Sequence, residues 1–515
     1  MKSRESFAGR FLLLCGSNLV LQVLSFLYRI LLSRYAGTEG LGIYRLASSV
    51  YSILHATCLS GITLACTRYV SAWKAERKEG AVGALLRWIF TIFTFLFVIS
   101  AVCIWWGKDY IGEVLIGDRR IIGAIPIMLI CLLLTSIENI FKSVMIGLER
   151  IDNAVISELT EQIVRMLAAI ILLRGFCTDD LGHAAVLIFC ASVISEVVSA
   201  SIMTVMYLIM RKPKRVDPPP RYRKNICQTV FPVSLSALCN NLIASSGTVL
   251  LPKRLTASGM TSREAVSELG ALTGVAAPII VLPMALITSL CTVTLPEISA
   301  RYNAQHPQRM YDFSEKILRT VGLISVPFTI LLIPLAPVIS RLFFYHAVEQ
   351  KIFVLMGFSC ILCYYQMATS CFLNGCGQQT WNAAVVTCGE LLQLFLIWFL
   401  TADPHLRLYG YILAQCITPL AVTICNFGKL RRTGIIRVRL KTLMLEPVIC
   451  GLLLFLWSRV FFVFYSGFAG QWAAILLTLM SALLLYILIL RLLDVELIRY
   501  LTKTVRLHTF QPMFY

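Results

Sequence analysis

The sequence predicts an all-α polytopic membrane protein of about fourteen transmembrane helices: two pseudo-symmetric six-helix lobes in like orientation, then two further C-terminal helices. Three observations predict it. The 515-residue chain is 58% hydrophobic and only 14% charged, with a mean hydropathy of +0.79, where a soluble chain would be about a quarter charged. Apolar runs of roughly 20 residues recur from end to end, each long enough to cross the hydrocarbon core as a helix. Short motifs also recur in the second half of the chain at one constant offset from the first.

In chain order the spans fall near 11–33, 41–66, 85–106, 121–146, 154–173, 184–210, 228–250, 271–295, 314–338, 352–373, 382–400, 409–427, 443–464 and 473–493. The first is too long for a signal-peptide core and holds Asn18, Gln22 and Arg29, so no cleavable signal is expected. An even number of spans puts both termini on one side. The loops "WKAERKEG" (73–80), "RKPKRVDPPPRYRK" (211–224) and "KLRRTGIIRVRLK" (429–441), with the N-terminal segment, lie on one side with roughly 25 Lys and Arg against roughly 11 opposite. Positive-inside bias makes that side, and both termini, cytoplasmic, with the chain in the cell membrane. The net charge of +19 is therefore a topology signal, and no nucleic-acid partner is expected.

The repeat sets the organisation. Gly42 opens the second span and Gly270 the eighth; "VSA" (70–72) and "ISA" (298–300) close them. Gly147 and Gly375 end the fourth and tenth, and Asn153 and Asn382 follow after a one-residue insertion. The expected domains are a first lobe at 1–210, a basic linker at 211–227, a second lobe at 228–428, a basic loop at 429–442, and an appended helix pair with tail at 443–515. Parallel repeats of this kind are a common transporter plan.

Polar residues within the spans are the candidate site. Asn18, Gln22, Ser25 and Arg29 are spaced 4, 3 and 4 and fall on one helix face. Arg45, Ser48, Ser49 and Ser52 share a face of the second span, with His55 at its edge; Ser234, Asn241, Ser245 and Thr248 do so on the seventh. Small hydroxyls taken alone read more readily as interhelical hydrogen-bonding groups. Arginine is different: at the centre of a membrane helix it costs about 2.5–3.5 kcal/mol, so a stripe ending in Arg29 points to a wet cavity or an anionic ligand. Glu39, in the short loop between Arg29 and Arg45, is a candidate to hold an arginine when the site is empty.

Charge also enters the fourth, fifth and sixth spans. Glu138–Lys142 and Glu161–Arg165 are i,i+4 pairs with the acid first, and Glu158 shares a face with Glu161. Glu196 and Glu390 stand alone in the sixth and eleventh. Self-neutralising pairs that hold helices together are one reading. Coupling to a proton or sodium ion through Glu138, Glu161, Arg165 and Glu196 is the other. The 18 cysteines fall almost entirely in apolar spans, so Cys360-x-x-Cys363 reads as packing. No cofactor, metal centre or catalytic group is expected, and no G-x-x-x-x-G-K-[ST] phosphate loop occurs.

"GTEGLGIYRLASSVYSILHATCLSGITLACTRYVSA" (37–72) resembles the first loop and second helix of polysaccharide-type flippases, and "ALTGVAAPIIVLPMALITSLCTVTLPEIS" (271–299) resembles the matching helix of their second half. The likeness is to the stage V sporulation protein B group of the multidrug/oligosaccharidyl-lipid/polysaccharide exporter superfamily, and covers nearly the whole chain. The resemblance implies a MATE-like fold of two lobes, alternating access, and a polyprenyl-diphosphate-linked saccharide, a peptidoglycan precursor among the candidates, as substrate. Related flippases place arginines of their first helices in a cationic cavity, and Arg29 and Arg45 match these by place. Membrane lipids and a coupling cation are the other expected partners. The alternative is a cation-coupled multidrug exporter of the same superfamily; an enzyme such as a membrane glycosyltransferase would need a larger extracytoplasmic domain than these loops supply.

Overall fold

The chain's structure, a computed structural model, describes residues 2–176, 181–210, 219, 221–303, 307–344, 348–436, 443, 445–468 and 470–492. Among them are fifteen α-helices and no strand: α1 (Lys2–Ala75), α2 (Val82–Tyr110), α3 (Ile125–Gly147), α4 (Ile151–Phe176), α5 (Leu181–Met210), α6 (Tyr222–Ala257), α7 (Ser262–Gly270), α8 (Ala277–Ile280), α9 (Met284–Asn303), α10 (Pro307–Phe344), α11 (Gln350–Gly375), α12 (Gln379–Leu400), α13 (Leu408–Arg432), α14 (Glu446–Ser466) and α15 (Gln471–Leu492).

Each expected span overlaps one or more of these helices. Eleven helical stretches are long and apolar enough to cross a membrane by length and composition. The first holds spans one and two, joined through the non-helical residue Gly37. Span five is α4, whose charges keep it out of that set, and span eight is the α8–α9 pair, interrupted by a turn at 281–283. A short helix the hydropathy did not reveal, α7, stands in the loop before span eight. It starts with a capping box: the Thr261 hydroxyl accepts from the Glu264 backbone N–H, and Glu264 accepts from the Thr261 N–H. These bonds hold the Glu264 carboxyl below its ordinary pKa.

The chain forms two compact units: Met1–Pro278 with Glu390–Ala414, and Ile279–Gly389 with Gln415–Tyr515. In the first, α1 packs on α3, α4, α5, α6 and α7. Its core includes Leu59, Ile62, Trp73, Leu85, Ile89 and Val144. In the second, α11 buries Phe353, Tyr364, Tyr365 and Phe372. There α14 packs on α10 and α15 on α14, tied by Arg319–Glu446 at 2.8 Å and by the Trp457 indole N–H donating to Ser481 at 3.1 Å.

Helix association in lipid relies on close packing and polar contacts, since tails are as apolar as the side chains. Glycine supplies the approach, and it does so twice in the same way. A Cβ on Gly147 would stand 2.8 Å from Cβ of Val70, and a Cβ on Gly375 would stand 2.9 Å from Cβ of Ile298. Val70 and Ile298 are equivalent positions of the repeat, as are Gly147 and Gly375. The two helix ends match too: the N–H groups of residues 148, 149 and 150 donate to the carbonyls of 144, 146 and 145, and those of 376, 377 and 378 to 372, 374 and 373. The repeat read from the sequence is thus a repeat of local structure.

Candidate functional site

The arginine stripe is assembled by one turn. Gly37 has φ 65° and ψ −179°, a region that essentially only glycine enters. Arg29 lies eight residues before it and Arg45 eight residues after. On a straight helix their Cα atoms would be about 24 Å apart. Folded at Gly37, the two guanidinium groups come within electrostatic reach of each other and of Tyr44. Both arginines are exposed, and neither makes an ion pair or side-chain hydrogen bond with any described residue. Two guanidinium groups that repel, with no carboxylate paired to either among the described residues, have the chemistry that suits an anion.

The other predicted stripe residues divide. Gln22 and Ser25 are half-buried on the same arm as Arg29. The side chain of Asn18 lies outside the described residues. Ser52 donates to the Ser49 carbonyl at 2.8 Å and lies 3.2 Å from the Ser245 hydroxyl, while Ser245 donates to the Ser49 carbonyl at 3.1 Å. Ser49, Ser52 and Ser245 therefore join α1 to α6. Asn241 donates to the Ala237 carbonyl of its own helix at 2.9 Å.

Glu39 does hold arginine, but not the pair that flanks it. Its carboxylate accepts from Arg120 at 2.7 Å and from Arg263 at 2.7 Å, and Arg120 also meets Asp118 at 2.8 Å. Three segments, α1, the 3-10 turn Arg119–Ala124 and α7, are joined through one acid. A cavity of about 390 Å³ opens beside it, lined by Glu39, Asp118, Arg119, Arg120 and Arg263 among others. Sequence reasoning missed Arg120 and Arg263 as its partners. The available signal was two arginine-bearing loops, "GDRR" and "SRE", on the side of the chain that carries Glu39.

Beneath them α1 and α7 meet in a symmetric contact. A Cβ on Gly42 would lie 2.8 Å from a methyl carbon of Val266, and a Cβ on Gly270 would lie 2.8 Å from the carbonyl carbon of Thr38. Gly270 is the repeat equivalent of Gly42, and Val266 is that of Thr38. Reciprocal contacts of this form are the mark of a twofold axis, here a local one between the two repeats. The hydroxyls of Thr38 and Ser267 close it at 2.7 Å.

The charges of the fourth, fifth and sixth spans form one cluster across α3, α4 and α5. Both predicted i,i+4 pairs exist: Lys142 is 3.8 Å from Glu138, and Arg165 pairs with Glu161. Each cation also reaches another helix, Lys142 to Glu158 at 2.5 Å or Arg165 across to Glu196 at 3.6 Å. Ser157 lies 3.4 Å from Glu138 and 2.8 Å from Ser199. From α1, Tyr51 hydrogen-bonds Thr135 at 3.0 Å and feels the charge of Glu196, while Tyr28, next to Arg29, feels Arg165. The helix arms bearing the arginine pair are thus seated against the acidic cluster. Cys360 and Cys363 are both free thiols.

Comparison with known proteins places this architecture. The family described as polysaccharide biosynthesis protein matches residues 9–302, and the MatE family matches residues 253–399. The chain is 21% identical over 469 residues to the stage V sporulation protein B of Bacillus subtilis (strain 168), covering 87% of this chain and 89% of that one. Among solved structures, the lipid II flippase MurJ in an inward closed conformation superposes with a TM-score of 0.68 at 14% identity, covering 95% of this chain and all of that one (100%). An inward-facing multidrug resistance MATE family transporter of the MOP superfamily gives 0.65 at 16% identity, covering 82% and 98%. The fold is that of the MOP-superfamily transporters, and with more than half its length matched, the chain is a multi-pass membrane protein that belongs to the polysaccharide biosynthesis protein family.

Proposed function

We propose that this chain moves a polyprenyl-diphosphate-linked saccharide across the cytoplasmic membrane by alternating access, as a transporter and not an enzyme, with both termini in the cytoplasm. The observation that carries the reading is the Arg29–Arg45 pair: exposed guanidinium groups within electrostatic reach of each other, without a carboxylate partner among the described residues. A diphosphate supplies the missing negative charge, and guanidinium binds it bidentately while staying charged at any working pH. Gln22 and Ser25 line the same arm and suit a sugar's hydroxyls. Asn18, Ser52 and Asn241 remain candidates on the neighbouring stripes. The polyprenyl tail stays among membrane lipids. The names of the sporulation relative and of the lipid II flippase support an envelope saccharide.

A multidrug exporter is the rival, favoured by the match of 253–399 to the MatE family. A guanidinium pair repels a cationic drug, which weighs against it. The test is reconstitution in vesicles holding either a fluorescent lipid-linked saccharide or a cationic dye. Saccharide translocation without dye export is expected. Dye export without saccharide translocation refutes the reading.

A further inference from the structure

Tyr44, Ser48, Tyr51 and His55 are spaced 4, 3 and 4 and share one face of α1, beside the face that carries Arg45. All four are half-buried. Phe189 of α5 packs against both tyrosines, its ring centroid 5.4 Å from that of Tyr44 and 6.0 Å from that of Tyr51. His55 adds the next ring, 6.2 Å from Tyr51. Tyr51 is also fixed at its far end, its hydroxyl 3.0 Å from that of Thr135 on α3. A short ladder of rings thus runs along α1 away from the arginine pair, with Tyr44 in electrostatic reach of Arg29 at its top. His55 stands ten residues beyond Arg45, about 15 Å along the helix axis.

Two polar groups on this face are unpaired. Ser49 and Ser52 bond back to the carbonyls of Leu46 and Ser49, as hydroxyls within helices commonly do. The Ser48 hydroxyl is buried and makes no such bond. The imidazole of His55 has its ring contact with Tyr51, but its nitrogens have no hydrogen-bond or ion-pair partner among the described residues. A neutral imidazole offers one donor and one acceptor, and a polar group left unpaired in a helix bundle is costly. A ligand rich in hydroxyls supplies what both lack.

The second repeat shows that packing does not ask for these groups. In the register that pairs Gly42 with Gly270 and Val70 with Ile298, the equivalent residues are Leu272, Ala276, Ile279 and Pro283. All four are apolar and buried. The same face is sealed by aliphatic side chains in one repeat and left half-open, aromatic and polar in the other.

We propose that Tyr44, Ser48, Tyr51 and His55 seat the saccharide head of the carrier whose diphosphate Arg29 and Arg45 hold. A sugar ring has apolar C–H faces and a rim of hydroxyls. The aromatic ladder meets the first, and the unpaired imidazole and hydroxyl meet the second. The assignment deepens the flippase reading and rests on it. The arginine pair holds any diphosphate carrier, and the ring face distinguishes a loaded carrier from an empty one.

The full chain, purified in detergent, is titrated with two lipids that carry a fluorophore on the tail: a polyprenyl diphosphate bearing a disaccharide, and the same polyprenyl diphosphate bare. The unaltered chain is expected to bind the loaded lipid about tenfold more tightly. In His55→Ala that preference is expected to fall about three- to tenfold, with the affinity for the bare lipid unchanged, which also shows that the variant is folded. His55→Gln, which keeps a donor and an acceptor, should retain most of the preference. Three results overturn the seat and leave the diphosphate site: equal affinity of the unaltered chain for the two lipids, an unchanged preference in both His55→Ala and Ser48→Ala, or a loss in His55→Ala that is the same for both lipids. Binding of neither lipid to the unaltered chain refutes the flippase reading itself.

Discussion

Gly42 and Gly270, equivalent positions of the two repeats, touch: a Cβ on Gly270 would stand 2.7 Å from the backbone nitrogen of Gly42. The contact is reciprocal through Val266 and Thr38, so equivalent positions of the two repeats meet here. On the proposed topology this contact lies at the outer end. Gly270→Ala meets the α1 backbone at Thr38 and Gly42, where nothing yields by side-chain rotation. It is expected to destabilise the closed arrangement by about 1–3 kcal/mol and to raise the reactivity of Thr38→Cys with external thiol reagents. Gly428→Ala, with nothing within 4 Å of the new carbon, is the control. Equal behaviour of the two variants refutes the account of the contact.

Glu39 joins three segments over that contact. Its two arginines differ in setting: the side chain of Arg120 is 33% exposed and that of Arg263 is 74% exposed. Exposed pairs contribute about 0–1 kcal/mol. Arg263→Ala should therefore change little, while Glu39→Ala, which removes the acceptor that Arg120 and Arg263 share and leaves Arg120 with Asp118, should lower the thermal midpoint and loosen the outer end to labelling. A larger effect from Arg263→Ala than from Glu39→Ala contradicts the assignment of Glu39 as the hub.

Gly37→Ala tests how the arginine pair is built. At φ 65° and ψ −179° a Cβ is strained whatever space surrounds it, at about 1–3 kcal/mol. The expected outcome is a chain of reduced stability whose transport falls even where membrane levels are normal, because the two arms no longer bring Arg29 to Arg45. Unchanged transport by Gly37→Ala means the turn does not position the site.

The fold was legible because membrane spans obey a length and a composition rule that single segments satisfy alone. The repeat was legible because Gly42, Gly270, Gly147 and Gly375 stand where helices approach too closely for any side chain. The sequence also carried the arginine stripe and the two i,i+4 pairs, since helical periodicity sets which side chains share a face. It did not carry cross-helix partners. Glu39 was read against its sequence neighbours Arg29 and Arg45, yet Arg120 and Arg263 reach it from segments 81 and 224 residues away. Glu196 read as a lone charge because periodicity within one helix says nothing of Arg165 on the next. Helix α7 was missed because it is short and polar, below what hydropathy detects. Residues 211–218 and 220 of the basic linker lie outside the described residues.

Topology makes a separate prediction. On a background from which the native cysteines are removed, Ser262→Cys, at the start of α7, should be labelled in intact cells by a membrane-impermeant maleimide. Lys224→Cys, at the start of α6, should be labelled only after the membrane is opened. Both residues are exposed. The opposite pattern inverts the orientation.

The central claim is that Arg29 and Arg45 together hold the diphosphate of a lipid carrier, and translocation by charge-conserving variants measures it most directly. In reconstituted vesicles with equal protein content, Arg29→Ala and Arg45→Ala should abolish translocation of a lipid-linked saccharide. Arg29→Lys should retain charge but lose the bidentate fork, and transport should drop clearly, on the order of tenfold for each 1.4 kcal/mol lost. Full transport by Arg29→Lys would mean that the side chain only reaches toward the membrane interface. Full transport by Arg29→Ala and Arg45→Ala, singly and combined, would contradict the claim.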